Sequence, residues 1–483
     1  MTLKSVSNNN PLGVREHPKP TKNRNFGEYK RHISMIGKIT IRDFKSYRQA
    51  ELKLSPLTVL VGANASGKSN ALEAIRFLNW MAQGHKLSSL QYMVNENDQV
   101  VRGRVADLPR RGTKEFGLGC TLSPFEVKGK IRFFRKHDDL YDTLELSLGL
   151  RENEELHIES ETVYAPGQEG YNTLYRTIEP SKGANTQISV EYNNFARGGK
   201  KPQISCTDQM AIFLQLESAA RFADGHTKAK QLIPKVAKKF EGHLAGVLFL
   251  DPFPQKMRDY SFLSEKKLLG DGSNLSAVLY HLWNSEEEKE KNRSAIVEFI
   301  QSLPEQDITG IDFLEGPRGE VMIQLKETFG GEEHYCDASL LSDGTLRVLA
   351  LAAALLSAEP GSLVIIEEVD NGVHPSRAGK LLKSINDIAK EKQLAVLISS
   401  HNPALLDALP DEAVPDVVFC YRNPQTGWSE LVRMADFTDY PELIAQGALG
   451  ELLTRGLIDR FVKHHPGSEE KKQKALKWLE SIK

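Results

Sequence analysis

The chain has 483 residues, 40% of them apolar and 26% charged, with 62 basic against 64 acidic side chains and a formal net charge of −2. That length holds roughly two to four structural units and a large core, and the balanced charge excludes a global electrostatic footprint for nucleic acid. Four widely separated cysteines (Cys120, Cys206, Cys336 and Cys420) argue against a zinc motif and suit a reducing cytoplasm, and no apolar run has the length of a membrane span.

Residues 1–34 carry Asn8-Asn9-Asn10, Pro11, Pro18 and Pro20 among scattered Lys and Arg, without periodicity, and read as a polar, mobile arm. Residues 36–41 alternate as a strand and 50–54 as its partner. Residues 57–61 form a short, fully apolar strand that runs into Gly62-Ala63-Asn64-Ala65-Ser66-Gly67-Lys68-Ser69, followed by helical periodicity over 70–78. This is the pattern G-x-x-x-x-G-K-[ST] in its strand–loop–helix setting. Its glycines let backbone N–H groups and the helix N-terminus face a phosphate. Lys68 is expected to reach the β- and γ-phosphates and the Ser69 hydroxyl to hold Mg²⁺. The nucleotide-binding set is Gly62, Asn64, Ser66, Gly67, Lys68, Ser69 and Asn70. A nucleoside triphosphate, ATP with Mg²⁺, is the ligand this predicts.

From about 101 to 192, short alternating segments with Gly/Asn/Asp punctuation predict an antiparallel meander, clearest at 128–133 and 144–148. Helical spacing follows over 208–240, then a buried strand at 247–250 and helices at 275–283 and 286–303. Ser285 with Glu288 three residues on reads as a capping box for the second of these. Strands return over 308–335. A nearly all-apolar helix is predicted at 346–356, then parallel strands at 363–366 and 394–399 flanking a helix at 378–390, a βαβ unit. The chain after 434 reads as helical, ending in a charged helix at 469–482. The expected units are the arm 1–34, a first lobe 35–150, an inserted β/helical region 151–305, a second lobe 306–433 and a helical tail 434–483. Fold class is α/β, with a mixed or parallel core sheet and an antiparallel β lobe.

The strand at 363–366 ends in Glu367-Glu368, where a P-loop fold handles Mg²⁺ and the attacking water. Glu367 is placed to bind the hydrated metal and Glu368 to polarise the water. Ser342-Asp343-Gly344 precedes the buried helix, offering a hydroxyl, bare N–H groups and the positive end of a dipole, 273 residues after Ser69. Read alone, Ser342 is equally an ordinary N-cap. His401 follows the strand at 394–399 and could hydrogen-bond a phosphate or the water. Basic clusters at Arg102/Arg104, Arg110-Arg111 with Lys114, Lys128/Lys130/Arg132 with Arg135-Lys136, and Arg197 with Lys200-Lys201 are candidate DNA or partner surfaces, or simply a solvated face.

In this order, the phosphate loop, Ser342–Arg347, Glu367-Glu368, Asp370-Asn371-Gly372-Val373-His374-Pro375 and Ser400-His401-Asn402 resemble the ABC-type ATPases of the RecF/SMC/OLD branch. The opening Ile39-Thr40-Ile41-Arg42-Asp43-Phe44-Lys45-Ser46-Tyr47 resembles that branch's first strands. The resemblance implies that Ser342 and Gly344 belong to the ABC signature, that Glu367 and Glu368 are Walker B and catalytic glutamate, that Asp370 lies in the D-loop and that His401 is the switch histidine. It further implies a head-to-tail, ATP-dependent dimer or higher oligomer and hydrolysis of ATP to ADP and phosphate. Asp343, Thr345, Glu367 and Val369 depart from the common pattern, which implies slow turnover. With no heptad run and no TOPRIM carboxylate set, the chain resembles the ATPase subunits of anti-phage systems such as Septu or PARIS. A separately encoded nuclease or effector is the partner this implies, with DNA or a phage component as further candidates; no membrane is implied, and the expected location is cytoplasmic. The alternatives are a RecF-type repair ATPase and a nucleotide-binding regulator with negligible hydrolysis.

Overall fold

The computed structural model describes residues 33–93, 100–124, 137–166, 172–180, 185–286, 288–301, 308–329, 332–369, 375–437 and 445–457. Residues 1–32 of the arm expected at 1–34, the segment 128–133, Asp370 to His374 and the helix expected at 469–482 lie outside them, and Ser34 already opens the first strand.

In chain order the strands are β1 (Ser34–Phe44), β2 (Tyr47–Lys53), β3 (Leu57–Val61), β4 (Glu115–Pro124), β5 (Thr143–Leu150), β6 (Leu156–Ala165), β7 (Asn172–Glu179), β8 (Gln187–Tyr192) and β9 (Gln203–Thr207). They continue with β10 (Leu248–Leu250), β11 (Ser261–Phe262), β12 (Ile308–Glu315), β13 (Glu320–Phe329), β14 (Glu332–Asp337), β15 (Leu363–Glu367), β16 (Ala395–Ser400), β17 (Val417–Arg422) and β18 (Ser429–Arg433). The helices that shape the site are α1 (Lys68–Ala82), α2 (Thr227–Ala245), α3 (Leu275–Trp283), α4 (Lys289–Ile300), α5 (Asp343–Ser357) and α6 (Pro375–Lys392).

Among the described residues fourteen strands form one sheet, in the order β10-β15-β16-β3-β17-β18-β2-β1-β4-β5-β6-β7-β8-β9. Its first five strands are parallel neighbours, and β18 turns back antiparallel against β17. The meander is therefore not a separate body. It continues the parallel sheet through the short β18–β2 pairing at Ser429 and Tyr47. The expected α/β class with a mixed sheet is what the chain adopts. The expected boundary at 150 falls in the β5–β6 hairpin, whose strands pair from Thr143 with Tyr164 to Leu150 with Leu156.

The parallel strands are apolar at almost every position because both of their faces are covered. In β15, Leu363 and Ile365 join the core shared with α1, α2 and the meander, while Val364 and Ile366 join the core built by α3 to α6. Helix α5 is buried nearly all round, from Thr345 through Leu356, as its unbroken apolar run requires. A second sheet centres on β13, which pairs with β11, β12 and β14.

Three local expectations are corrected. The helical span at 208–240 is broken: a short turn of helix at Ile212–Gln215 precedes α2. Glu288 is itself the N-cap of α4, with no side-chain cap bond, so the Ser285–Glu288 capping box does not form. Strands β17 and β18, unmarked in the sequence reading, insert beside the phosphate-loop strand; β17 carries no flanking motif, and a short apolar run is not told from a buried helical segment by periodicity alone.

Candidate functional site

The phosphate loop leaves β3 and enters α1 at the carboxyl end of the parallel sheet, the usual place for a ligand in an open α/β sheet. Gly67 is the N-cap of α1, with φ of 122°, no side-chain cap bond and no acidic residue in the helix's first turn. The helix thus presents its first N–H groups and its positive dipole end without an internal anion. The Lys68 ammonium donates to the carbonyls of Gly62 and, at 3.2 Å, of Ala63. Burial lowers the Lys68 pKa, against the nearby Cys420 and Glu368, which raise it. Asn64 and Ser69 are exposed, and Ser66 is buried.

The loop is held from behind by parts of the chain far away in sequence. Ser429 donates its hydroxyl to the Ser66 carbonyl at 2.5 Å, and its Oγ lies 2.8 Å from Ser46 Oγ, from which it accepts. The Tyr47 hydroxyl donates to the Gly67 carbonyl at 3.1 Å, and Arg422 Nε to the Ala65 carbonyl at 3.1 Å. Asn70 donates to Ser46 Oγ at 2.8 Å and accepts from Arg102 at 3.2 Å. These contacts explain both glycines. A Cβ on Gly62 would stand 2.2 Å from the Cys420 carbonyl oxygen, and one on Gly67 would stand 2.4 Å from Ser429 Oγ.

Register then brings the carboxylates to the loop. Glu367 pairs with Ser399, Ser399 with Leu60, and Ser400 with Val61, so the ends of β15, β16 and β3 lie side by side. Residues 63–70 of the loop, Glu367, Glu368, Ser399, Ser400, His401, Arg102 and Arg422 line one cleft of about 460 Å³. Glu367 accepts from Arg76 Nη2 at 2.9 Å. Burial pushes the Glu367 carboxyl above its ordinary range, Arg76 pulls it down, and Asp251 and Glu368 add to the rise. Glu368 has φ of 49°, left-handed backbone that costs a non-glycine residue about 1–3 kcal/mol, and its N–H points to Ser399 Oγ at 3.4 Å. His401, just past β16, is exposed in the cleft.

Ser342 and Gly344 do not line this cleft. Ser342 is exposed and caps α5, its Oγ accepting from the Thr345 N–H at 3.1 Å, as the plain N-cap reading has it. Arg258 braces the same corner, donating to the Leu341 carbonyl at 2.9 Å and to Asp343 at 2.7 Å. Arg102, a candidate for an outer basic surface, instead lines the phosphate-loop cleft and pairs with the buried Glu73, as does Lys45. Arg110 pairs with Asp43 at 2.6 Å and lies over the Trp428 ring. Asp370 lies outside the described residues. Arg76, Ser46, Tyr47, Cys420, Arg422 and Ser429 were missed by sequence reasoning, since none belongs to the motif whose geometry it sets.

The residues present fit a magnesium triphosphate. An uncapped helix N-terminus and an ammonium would meet the anion, and Ser69, Glu367 and Glu368 line the same cleft. Among the described residues no cluster of three or more His, Cys, Asp or Glu side chains could hold a metal alone. That is the expected state for Mg²⁺, which is usually bound by one or two protein ligands plus phosphate oxygens.

Two family models match adjacent parts of the chain. One described as "AAA ATPase domain" matches residues 35–213, and one described as "AAA domain, putative AbiEii toxin, Type IV TA system" matches residues 211–407. The first contains the phosphate loop, the second Ser342, Glu367, Glu368 and His401. The DNA replication and repair protein RecF of Symbiobacterium thermophilum is 41% identical over 80 residues, 16% of this chain and 21% of that protein. RecF of Paenarthrobacter aurescens is 46% identical over 52 residues, 11% of this chain and 13% of that protein. The chain thus spans about a fifth or less of the length of these curated relatives. Among solved structures, an SMC head bound to the C-winged helix domain of ScpA aligns with TM-score 0.44 and 12% identity, over 82% of this chain and 97% of that one. The SMC head domain from Thermotoga maritima aligns with TM-score 0.36 and 14% identity, over 83% and 98%.

Proposed function

We propose that this chain, an ABC-type ATPase of the RecF/SMC-like branch, is an ATP-gated switch that closes head-to-tail on a second copy of itself and thereby licenses a separately encoded nuclease in anti-phage defence. One observation carries the dimer: Ser342 and Asp343 stand exposed and Gly344 half-buried, all outside the cleft that contains Lys68. Within one chain the two anion-binding corners do not meet. A second copy can bring its Ser342–Gly344 corner over the first copy's cleft, and the triphosphate then joins the two surfaces.

In this reading the N–H groups of Gly67 to Ser69 and the Lys68 ammonium bind the phosphates. Ser69 and Glu367 hold Mg²⁺, which when bound neutralises charge developing on the phosphate oxygens. Glu368 accepts a hydrogen bond from the attacking water, and His401 orients the same water or the terminal phosphate. Glu368 has left-handed backbone just past the end of β15 and lines the cleft. Hydrolysis is slow, because the signature and Walker B departures leave fewer groups committed to the transition state. The chain works in the cytoplasm. The defence role is supported by the AbiEii-type description of the model matching 211–407. A second reading, a DNA-loading repair ATPase, is favoured by the short RecF-like segments.

The test is the mass of the purified protein with and without ATP, for the wild type and for Lys68→Ala. ATP-dependent doubling in the wild type, absent in Lys68→Ala, is expected. Unchanged ATP affinity in Lys68→Ala would remove the reading. Salt-dependent DNA binding by the chain alone would favour the repair role, and co-purification with a nuclease encoded alongside it the defence role.

A further inference from the structure

Helix α1 carries, two turns beyond the phosphate loop, a cation that the nucleotide does not need. Arg76 lies eight residues after Lys68, about 12 Å further along the helix axis at the usual rise. Its guanidinium donates from Nη2 to Glu367 Oε1 at 2.9 Å and stacks over the Phe249 ring at 4.7 Å. Phe249 pairs with Ile365 across β10 and β15. With side chains alternating along a strand, Phe249, Ile365 and Glu367 share the sheet face that α1 covers. Phe249 and Ile365 accordingly pack in the core that α1 joins.

We infer that Arg76 is the positioning residue for Glu367: it fixes the Walker B carboxylate relative to the same rigid helix that begins with Lys68 and Ser69. Glu367 is longer by one methylene than the aspartate common at this position, so its carboxylate sweeps a larger arc. The fork of Arg76, braced on Phe249, removes that freedom. A lysine has the charge but neither the planar fork nor the stacking face. The ion pair is about one-third exposed on each side, 36% for Arg76 and 32% for Glu367, so its value lies in orientation rather than in net stability. The inference rests on Glu367 being a metal ligand, as proposed above.

The experiment uses the full chain and Mn²⁺ as the probe, followed by electron paramagnetic resonance in the presence of a non-hydrolysable ATP analogue. Fluorescent-ATP binding in EDTA is measured in parallel. Removing an outer partner of a metal ligand commonly costs tenfold or more in metal affinity. Arg76→Met should therefore weaken Mn²⁺ binding by roughly tenfold while leaving metal-free nucleotide affinity within about twofold. Arg76→Lys should fall short of full rescue, and Phe249→Leu, which keeps the ion pair, should show a smaller loss of the same kind. Adding Arg76→Met to Glu367→Gln should change little, because the group it positions is already altered. Mn²⁺ affinity equal to wild type in the folded variants would overturn the inference, as would an equal loss of metal-free nucleotide affinity. If Arg76→Met fails to fold, Arg76→Lys and Phe249→Leu decide alone. Failure of the wild type to bind the nucleotide at all would instead strike the functional reading beneath it.

Discussion

Gly67→Ala tests how the phosphate loop is built. Gly67 sits at φ of 122°, where an L-residue is strained by about 1–3 kcal/mol. Its new Cβ would lie 2.4 Å from Ser429 Oγ, 2.8 Å from Ser429 Cβ and 3.1 Å from Tyr47 Oη. Forcing a methyl group into a packed site costs about 1–3 kcal/mol more. Displacing Ser429 also breaks its bonds to the Ser66 carbonyl and Ser46 Oγ, each of about 1 kcal/mol net. Together the substitution should destabilise the fold by about 4–8 kcal/mol. It should also weaken ATP binding at least tenfold, because the N–H groups of Gly67 to Ser69 move with the loop. Ser429→Gly removes the obstacle but not the backbone strain. The double variant should therefore be more stable than the sum of the singles by about 3–5 kcal/mol, the overpacking plus the two bonds that each single loses, read from urea unfolding as a double-mutant cycle. A strictly additive cycle would refute the claim that β18 shapes the loop, and wild-type ATP affinity in Gly67→Ala would refute the cradle itself.

Glu368→Gln should trap an ATP-bound closed oligomer, visible by light scattering as a larger mass that persists after free ATP is removed; a monomer under those conditions contradicts its role with the water. Ser342→Arg should leave ATP affinity of the isolated chain unchanged and abolish the ATP-dependent mass increase, since the bulky cation projects from an exposed cap; a loss of ATP affinity would place Ser342 in its own chain's cleft. In the meander, Glu161 is fully buried and accepts from the Tyr175 hydroxyl at 2.6 Å and from the Ile212 and Phe213 N–H groups at 2.7 Å. Burial pushes its carboxyl up to about 7, against those three bonds, which pull it down. The folded state then holds this proton longer than the unfolded one, so the contribution is fully present below about pH 4.5 and is lost as pH rises through 7, an amount on the order of 3 kcal/mol. Measured by denaturant unfolding, the stability of wild type minus that of Glu161→Gln should fall between pH 5 and pH 8; a flat difference contradicts the assignment.

The sequence by itself determined which residue types stand at each corner of the candidate site. Gly62–Ser69 and Glu367-Glu368 are contiguous runs, and the strand, loop or helix each occupies follows from apolar periodicity and glycine placement within a few residues. A phosphate cradle is a local object, because consecutive backbone N–H groups make it. The buried strands β3, β15 and β16 were legible for the same reason, as short apolar runs ending in polar residues. Tertiary structure alone decided what surrounds them. That β17 and β18 pass behind the loop, that Ser429 touches Ser66, and that Arg76 meets Glu367 are pairings between residues 363 and 291 positions apart. Strand order in a parallel sheet is set by crossovers, and an apolar run carries no mark of its neighbour. Arg102 shows the same limit: its charge was plain in the chain, but only its fold partners Glu73 and Asn70 reveal that it faces the cleft. Short-range pattern fixes what a segment can do, and long-range pairing fixes what it is next to.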